Sequence, residues 1–144
     1  MISESPVQAP SSVSAAAAPR LLLLAHGSRR ASWALPFEAV LRALRQMQPD
    51  ADVALCFLES MQPLLPQALD AAARDACGSV CLVPLFLGTG AHLHDDVGRE
   101  VAAAQIRHPG LTVNVCAAAG DSPLVAGALA AYALQCLRSP TPKA

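Results

Sequence analysis

Aromatic residues and lysine are both scarce in this sequence. It has three Phe, one Trp and one Tyr among 144 residues, and Lys143 is its single lysine beside nine arginines. Few aromatic residues argue against an aromatic-rich β-sandwich, and the 53% hydrophobic content, rich in Ala and Leu, favours helices packed closely on a sheet. The formal net charge of -1 argues against a nucleic-acid binder driven by a global positive field. Any basic patch is therefore local and made of arginine, which suits carboxylate or phosphate ligands.

Several catalytic sequence motifs are also missing. Without a lysine in the body of the chain there is no P-loop, and there is no G-x-S-x-G nucleophile elbow. The segment "GTGAHL" begins like a dinucleotide fingerprint, but Leu93 stands where the third glycine belongs. Ala25 precedes His26 where a histidine phosphatase carries arginine. These absences exclude the commonest nucleotide-binding and hydrolase templates.

The cysteine pattern gives no sign of a disulfide framework. The five cysteines are an odd number without a C-x-x-C pair, so we expect reduced thiols that act as small apolar residues; they are Cys56, Cys77, Cys81, Cys116 and Cys136. No apolar run is as long as a membrane span. These features predict a soluble cytoplasmic protein.

Both ends of the chain have the composition of tails. Residues 1–19 are dominated by Pro, Ser and Ala and lack the basic start and long apolar centre of a secretory signal. We expect a disordered tail over 1–19, a flexible tail over 139–144 and one folded domain over 20–138.

Four apolar runs alternate with segments of helical spacing. The third helix is expected from Asp95 to Arg107 after a polar loop, and the last begins at "DSP". The alternation βαβαβαβα predicts a three-layer, doubly wound α/β domain, because strands joined by helical crossovers are parallel. We expect the strand order 2-1-3-4, with ligands bound where the winding reverses between strands 1 and 3. The predicted strands are Leu21–Ala25, Val53–Leu58, Val80–Phe86 and Thr112–Ala117.

Histidines follow both strands that flank this reversal. His26 comes directly after strand 1, and His92 follows strand 3 with His94 close by. Imidazoles that converge on a crevice indicate either a divalent transition metal or proton transfer near neutral pH. Glu59 ends strand 2 on the same edge and is a further candidate.

Structural interpretations of the same residues stay open at this point. His26 can be a loop residue, with Gly27 and Ser28 forming a turn into the first helix. The segment "HLHDD" can be a solvated helix start, and His108 can simply end a helix. The backbone of Gly27 and Ser28, with Arg29 or Arg30, can also bind a phosphate, as in an anion-binding flavodoxin-like module.

Four segments together resemble the small, single-domain class II tetrapyrrole chelatases. They are "LLLAHGSR", "FLES…P", "VCLVPLFLGTGAHLHDDV" and "HPGLTVNV", and the likeness runs from about residue 21 to 137. The sequence departs from the family pattern at Gly98, where proline is usual, and in the small residues of "AAAGDSPL". The resemblance implies a sirohydrochlorin chelatase of siroheme or cobalamin synthesis.

The resemblance also implies roles for individual residues. His26 and His92 would bind the incoming Co²⁺ or Fe²⁺, with Ni²⁺ as a further choice, and accept the pyrrole protons, while Glu59 would assist. The metal is a substrate, and no organic cofactor is expected. Small members form homodimers. A tetrapyrrole or metal carrier without turnover is the alternative. The residues expected to hold the substrate are Gly27, Ser28, Arg29, Arg30 and Gly90.

Overall fold

The computed structural model of the chain describes residues 18–88 and 90–139, except for the side chains of Ala91 and His92. The predicted tails therefore lie almost wholly outside the described residues, and their disorder stays a prediction. The described part forms alternating strands and helices. Its helices include none long and apolar enough to cross a membrane.

The sheet has the predicted strand order. Its four strands are β1 (Arg20–Ala25), β2 (Val53–Phe57), β3 (Ser79–Pro84) and β4 (Thr112–Val115). All neighbours are parallel, in the order β2-β1-β3-β4. The continuous run of leucines forms the central strand because its side chains are covered on both faces of the sheet. The winding reverses between β1 and β3, as predicted.

The helices are α1 (Leu35–Met47), α2 (Leu65–Arg74), α3 (Ala91–Arg107) and α4 (Pro123–Arg138). Proline in the first turn of α1, α2 and α4 suits the helix start, since its missing N–H has no intrahelical partner there. Short 3-10 turns at Ala31–Ala34 and Ala119–Asp121 precede α1 and α4.

Helix α3 begins four residues earlier than the sequence predicts. The polar segment "HLHDD" is helical, because the N–H groups of Leu93 and His94 bond to the carbonyl of Gly90 and Val97 packs in the core. Helix α2 ends at Arg74, and Ala76 after it adopts a left-handed φ of 56°. The early start of α3 places His92 and His94 in its first turn.

The two faces of the sheet are covered unequally. The main core lies between the sheet and helices α2 and α3, and its fully buried members include Leu24, Leu69 and Leu82. On the other face α1 packs mainly on β2, over a small cluster around Phe57. Helix α4 buries no residue.

Candidate functional site

A tight backbone contact joins the loops that follow β1 and β2. Gly27 has a φ of +95°, and a Cβ there would lie 1.9 Å from the carbonyl oxygen of Glu59. The N–H groups of Leu58 and Glu59 donate to the carbonyls of Ala25 and His26 at 3.0 and 3.2 Å. Glycine is therefore required at position 27, and this contact fixes the backbone on which the predicted site residues His26 and Glu59 stand.

The imidazole of His26 rests on a buried aromatic ring. Its ring centroid lies 4.5 Å from that of Phe86, with the ring planes tilted by 43°. Phe86 follows β3 and is buried, whereas His26 is exposed. Residues that follow β1 and β3 thus meet across the switch point, and Phe86 orients the imidazole while leaving it accessible.

A crevice of about 400 Å³ opens beside His26. One wall carries His26, Leu58 and Glu59 from the loops after β1 and β2. The opposite wall is formed by the first turns of α3, which present Leu93, Asp96, Arg99 and Glu100. The structure therefore brings His26 and Glu59 together in one crevice at the carboxyl edge of the sheet.

The charge of this crevice favours a cation. Glu59, Asp96 and Glu100 contribute three carboxylates, and Arg99 forms an ion pair with Asp96. The surplus of negative charge attracts divalent metal ions and raises their local concentration. Carboxylate and imidazole groups together suit a transition metal that is bound and then released.

His92 lies in the first turn of α3, whose later residues form the second wall of the crevice. Its side chain is outside the described part of the chain, so its pairing with His26 stays a prediction. Among the side chains that the structure does describe, no three of His, Cys, Asp or Glu form a group suited to hold a metal ion.

A second, more apolar groove of about 300 Å³ lies on the other side of the start of α3. Leu93 lines both grooves, and the exposed His94 belongs to this second one. Gly120 lies in the chain between Ala118 and Asp121, which line this groove; its N–H donates to the carbonyl of Phe86 at 2.8 Å, and a Cβ there would collide with the carbonyl of Leu87. This groove offers apolar surface next to the acidic crevice.

The predicted anion-binding residues after His26 point toward α1. Ser28 and Arg29 line a broad surface groove beside α1 and β2, away from the acidic crevice. The hydroxyl oxygen of Ser28 accepts the N–H of Arg30, whose side chain is exposed. Gly90, the last of the predicted binding residues, precedes α3 with open space around its Cα.

Arg99 and Glu100 line the crevice but were not predicted from the sequence. With Leu93 and Asp96 they follow helical spacing, so they share one face of α3. That spacing is visible in the sequence, but it indicates a shared helix face only once the helix is known to begin at Ala91.

Comparison with known proteins agrees with this architecture. A family model described as CbiX matches residues 20–135. A sirohydrochlorin ferrochelatase from Priestia megaterium is 28% identical over 96 residues, which are 65% of this chain and 35% of that protein. The chain thus spans about a third of the length of this curated relative.

Solved structures share the fold. A "Putative cobalamin (vitamin B12) biosynthesis CbiX protein" from Marinobacter aquaeolei VT8 is 26% identical, with a TM-score of 0.72 over 84% of this chain and 98% of that one. The chelatase SirB from Bacillus subtilis subspecies spizizenii, in complex with cobalt, is 24% identical, with a TM-score of 0.70 over 81% of this chain and 50% of that one. The second likeness concerns the fold alone.

Proposed function

The chain belongs to the CbiX family, and we propose that it is a chelatase that inserts Co²⁺ or Fe²⁺ into sirohydrochlorin, in siroheme or cobalamin synthesis. The relative from Priestia megaterium, a sirohydrochlorin ferrochelatase, supports this substrate. The observation that carries the proposal is the position of His26. It stands exposed on buried Phe86, at the switch point, in a crevice with a surplus of carboxylates.

The proposed reaction needs a weakly held metal and a base. Insertion displaces two N–H protons from the macrocycle as the metal binds the four pyrrole nitrogens. Imidazole ligates Co²⁺ and Fe²⁺ without the retention typical of thiolates, and it accepts protons near neutral pH. We assign His26 and His92 to metal delivery and proton acceptance. Glu59, on the same wall as His26, assists by attracting the metal or removing a proton.

The macrocycle brings many carboxylates, which the acidic crevice repels. We therefore propose that the tetrapyrrole lies across the mouth of the crevice and not inside it. The second groove supplies apolar contacts through Phe86 and Leu93. Gly27, Arg30 and Gly90 remain proposed contacts for the substrate carboxylates, whereas Ser28 and Arg29 face the groove beside α1.

We further propose a homodimer in the cytoplasm. A flat macrocycle has two faces, and a single domain with the macrocycle across the mouth of its crevice covers one of them, so a second copy covers the other. The five cysteines, all within the described residues, are free thiols, which a reducing compartment maintains.

A metal-insertion assay tests this function. Purified protein is incubated with sirohydrochlorin and Co²⁺, Fe²⁺ or Ni²⁺, and the absorbance change of the macrocycle is followed. We expect turnover above the spontaneous rate and a loss of about 100-fold or more in His26→Ala and His92→Ala, typical of a positioned base. His108→Ala is the matched control, since His108 lies at the far end of α3 and bonds to Asp70.

The outcomes separate the alternatives. Stoichiometric binding of sirohydrochlorin without turnover would make the protein a carrier. Variants of His26 and His92 that insert metal as fast as the parent would contradict the assigned mechanism.

A further inference from the structure

Two cysteines are in contact on the face of the sheet that points away from α2 and α3. The sulfur atoms of Cys81, in β3, and Cys116, directly after β4, lie 3.3 Å apart. Val80 and Leu82, on either side of Cys81, belong to the main core, so the alternation of the strand directs Cys81 to the opposite face. Of the five cysteines, all within the described residues, these are the two whose sulfur atoms are in contact.

The other three cysteines have separate surroundings. Cys56 is buried, and its thiol donates to the carbonyl of Leu23 at 3.5 Å. The thiol of Cys77 lies 3.7 Å from a carboxylate oxygen of Asp52, and Cys136 lies on α4. Within the described side chains no third His, Cys, Asp or Glu completes a metal-binding group. A site at the contacting pair therefore offers two protein ligands, and both are sulfur.

The position of the pair in the sheet disfavours a disulfide. Cys81 lies opposite Asn114 in the register of β3 and β4, so Cys116 is two residues further along the neighbouring strand. With strands about 4.8 Å apart and a rise of about 3.3 Å per residue, the two Cα atoms are about 8 Å apart. A disulfide needs Cα atoms within about 6.8 Å. The backbone resists this movement, because the N–H of Cys116 bonds to the carbonyl of Leu82 at 2.8 Å.

A metal ion bridges the pair more easily than a direct sulfur–sulfur bond. Two metal–sulfur bonds of about 2.3 Å place the sulfur atoms roughly 3.8 to 4.6 Å apart, for bond angles from tetrahedral to linear. The observed distance of 3.3 Å enters this range when the side chains turn slightly apart. Cys81 and Cys116 are half-buried and Asn114 beside them is exposed, so an ion can reach them from solvent.

The protonation of the pair selects for a soft ion. Burial, and after it the neighbouring Cys116 thiol, raises the pKa of Cys81 above its ordinary value of 9.0. The Cys81 thiol is therefore protonated at neutral pH, and a bound metal has to displace its proton. Only an ion with a high affinity for thiolate does so, which favours soft ions over Co²⁺, Fe²⁺ or Mg²⁺.

We propose that Cys81 and Cys116 bind one soft cation of low coordination number, of which Cu⁺ is the biological example. Thiolate ligands select Cu⁺, and two of them satisfy it, whereas structural Zn²⁺ requires four ligands. Binding replaces two S–H bonds by two copper–sulfur bonds and releases two protons to solvent, without a change in oxidation state.

This thiol pair differs in chemistry from the acidic crevice. The crevice presents the imidazole of His26 and carboxylates, which suit borderline divalent ions, whereas the pair presents sulfur alone. The domain thus carries two sites of different softness, on different parts of the sheet. The copper site does not rest on the proposed chelatase function.

Anaerobic titration of the full chain with Cu⁺, in competition with a coloured Cu⁺ chelator, tests the site. We expect about one Cu⁺ retained per chain, with near-ultraviolet absorption from copper–thiolate bonds. Cys81→Ser and Cys116→Ser should each weaken Cu⁺ binding by at least about 100-fold, because a hydroxyl is a poor ligand for a soft ion. The matched controls are Cys77→Ser and Cys136→Ser, which remove other half-buried thiols and should bind Cu⁺ like the parent.

A further variant separates ligation from packing. Cys81→Met keeps a soft sulfur ligand, so it should retain more Cu⁺ than Cys81→Ser. Urea unfolding of each variant shows whether it is folded. His26→Ala should retain Cu⁺ like the parent, since the crevice is not part of this site, and metal insertion into sirohydrochlorin should persist in Cys81→Ser. The copper site and the proposed function therefore fail or hold separately.

Three results would overturn the proposal. The first is a parent chain that loses all Cu⁺ to the chelator. The second is a loss of Cu⁺ in Cys77→Ser or Cys136→Ser as large as that in Cys81→Ser. The third is a disulfide between Cys81 and Cys116 that forms readily with glutathione disulfide, because it would contradict the diagonal geometry of the pair.

Discussion

His26 and His108 lie at opposite edges of the same sheet and have opposite surroundings. His26, at the carboxyl edge, rests on Phe86 and stays exposed beside the acidic crevice. His108 ends α3 at the amino edge, where its Nε2 lies 2.8 Å from an oxygen of Asp70, which also accepts from Arg107. The imidazole of His108 is engaged in a structural contact with Asp70, whereas that of His26 is accessible to a ligand.

The same contrast holds for the edges as a whole. The amino edge is held by ion pairs, with Arg20 bridging Asp52 and Asp75 and Arg107 bonded to Asp70. The carboxyl edge is held by backbone contacts at Gly27 and Gly120, which leave side chains available. The contacts that stabilise the fold and the residues proposed for the reaction therefore lie at opposite ends of the strands. Substitutions at one end should change stability, and substitutions at the other should change activity.

The largest expected effect is the loss of activity in His26→Ala. We expect a decrease in the rate of metal insertion of about 100-fold or more, with a change in the free energy of unfolding within about 1 kcal/mol. His108→Ala should show the reverse, near-normal activity and lower stability. Insertion rates and urea unfolding of both variants measure this. Equal losses of activity in the two variants would contradict the contrast between a reactive His26 and a structural His108.

A glycine pair tests the backbone contacts. Gly27→Ala should lower the free energy of unfolding by about 3 kcal/mol or more, because it combines a left-handed backbone with a collision against the carbonyl of Glu59. Gly110→Ala, at the amino edge, meets nothing within 4 Å and should be close to neutral. Chemical denaturation measures both, and a tolerant position 27 would contradict the described turn.

An acid titration tests the amino edge. Hydrogen bonds from Arg107 and His108 lower the pKa of Asp70 from its ordinary value of 3.8. The resulting stabilisation is fully present above the pKa of the unfolded chain and is lost as the pH falls through the lower, folded-state pKa.

Asp70→Asn should therefore reduce stability at neutral pH by about 1 kcal/mol and flatten its decrease below about pH 4. Asp50→Asn, in the exposed turn between α1 and β2, is the control. Thermal unfolding from pH 3 to 7 measures both. If the stability of Asp70→Asn changes with pH in parallel with that of the parent, Asp70 does not contribute to the acid dependence of stability.

The smallest effect concerns a buried thiol in the outer strand β2. Burial raises the pKa of the Cys56 thiol to about 12, so this thiol stays protonated and unreactive at neutral pH. We expect Cys56→Ala to leave the number of thiols that react rapidly with a disulfide reagent unchanged. A decrease by one would show that β2 opens readily.

The sequence predicts the buried strands well because covered strands are unbroken apolar runs. The strand order 2-1-3-4 was predicted from the general rules of parallel sheets, and the structure confirms it. The start of α3 was missed because Gly90 offers no side-chain cap and "HLHDD" is polar, although its Leu93 packs against the core. The start of α3 is set by contacts of its first residues with the core. These contacts involve residues distant in the sequence, so a local sequence pattern does not reveal them.

The candidate site, too, was predicted from the sequence only in part. His26 and Glu59 were predicted to share an edge, and the structure places them on one wall of the crevice. The direction of Ser28 and Arg29 toward α1 was not predictable, because it depends on the left-handed turn at Gly27. The exposure of α4 was also unexpected, because its sequence is largely apolar and such helices are normally buried.

The central claim is that His26 and His92 act on the same metal ion. Insertion rates of His26→Ala, His92→Ala and the double variant test it most directly. Groups that act as one unit are not additive, so we predict that the double variant is about as slow as the slower single one. Losses that multiply in the double variant would contradict the claim, because each histidine would then act independently of the other.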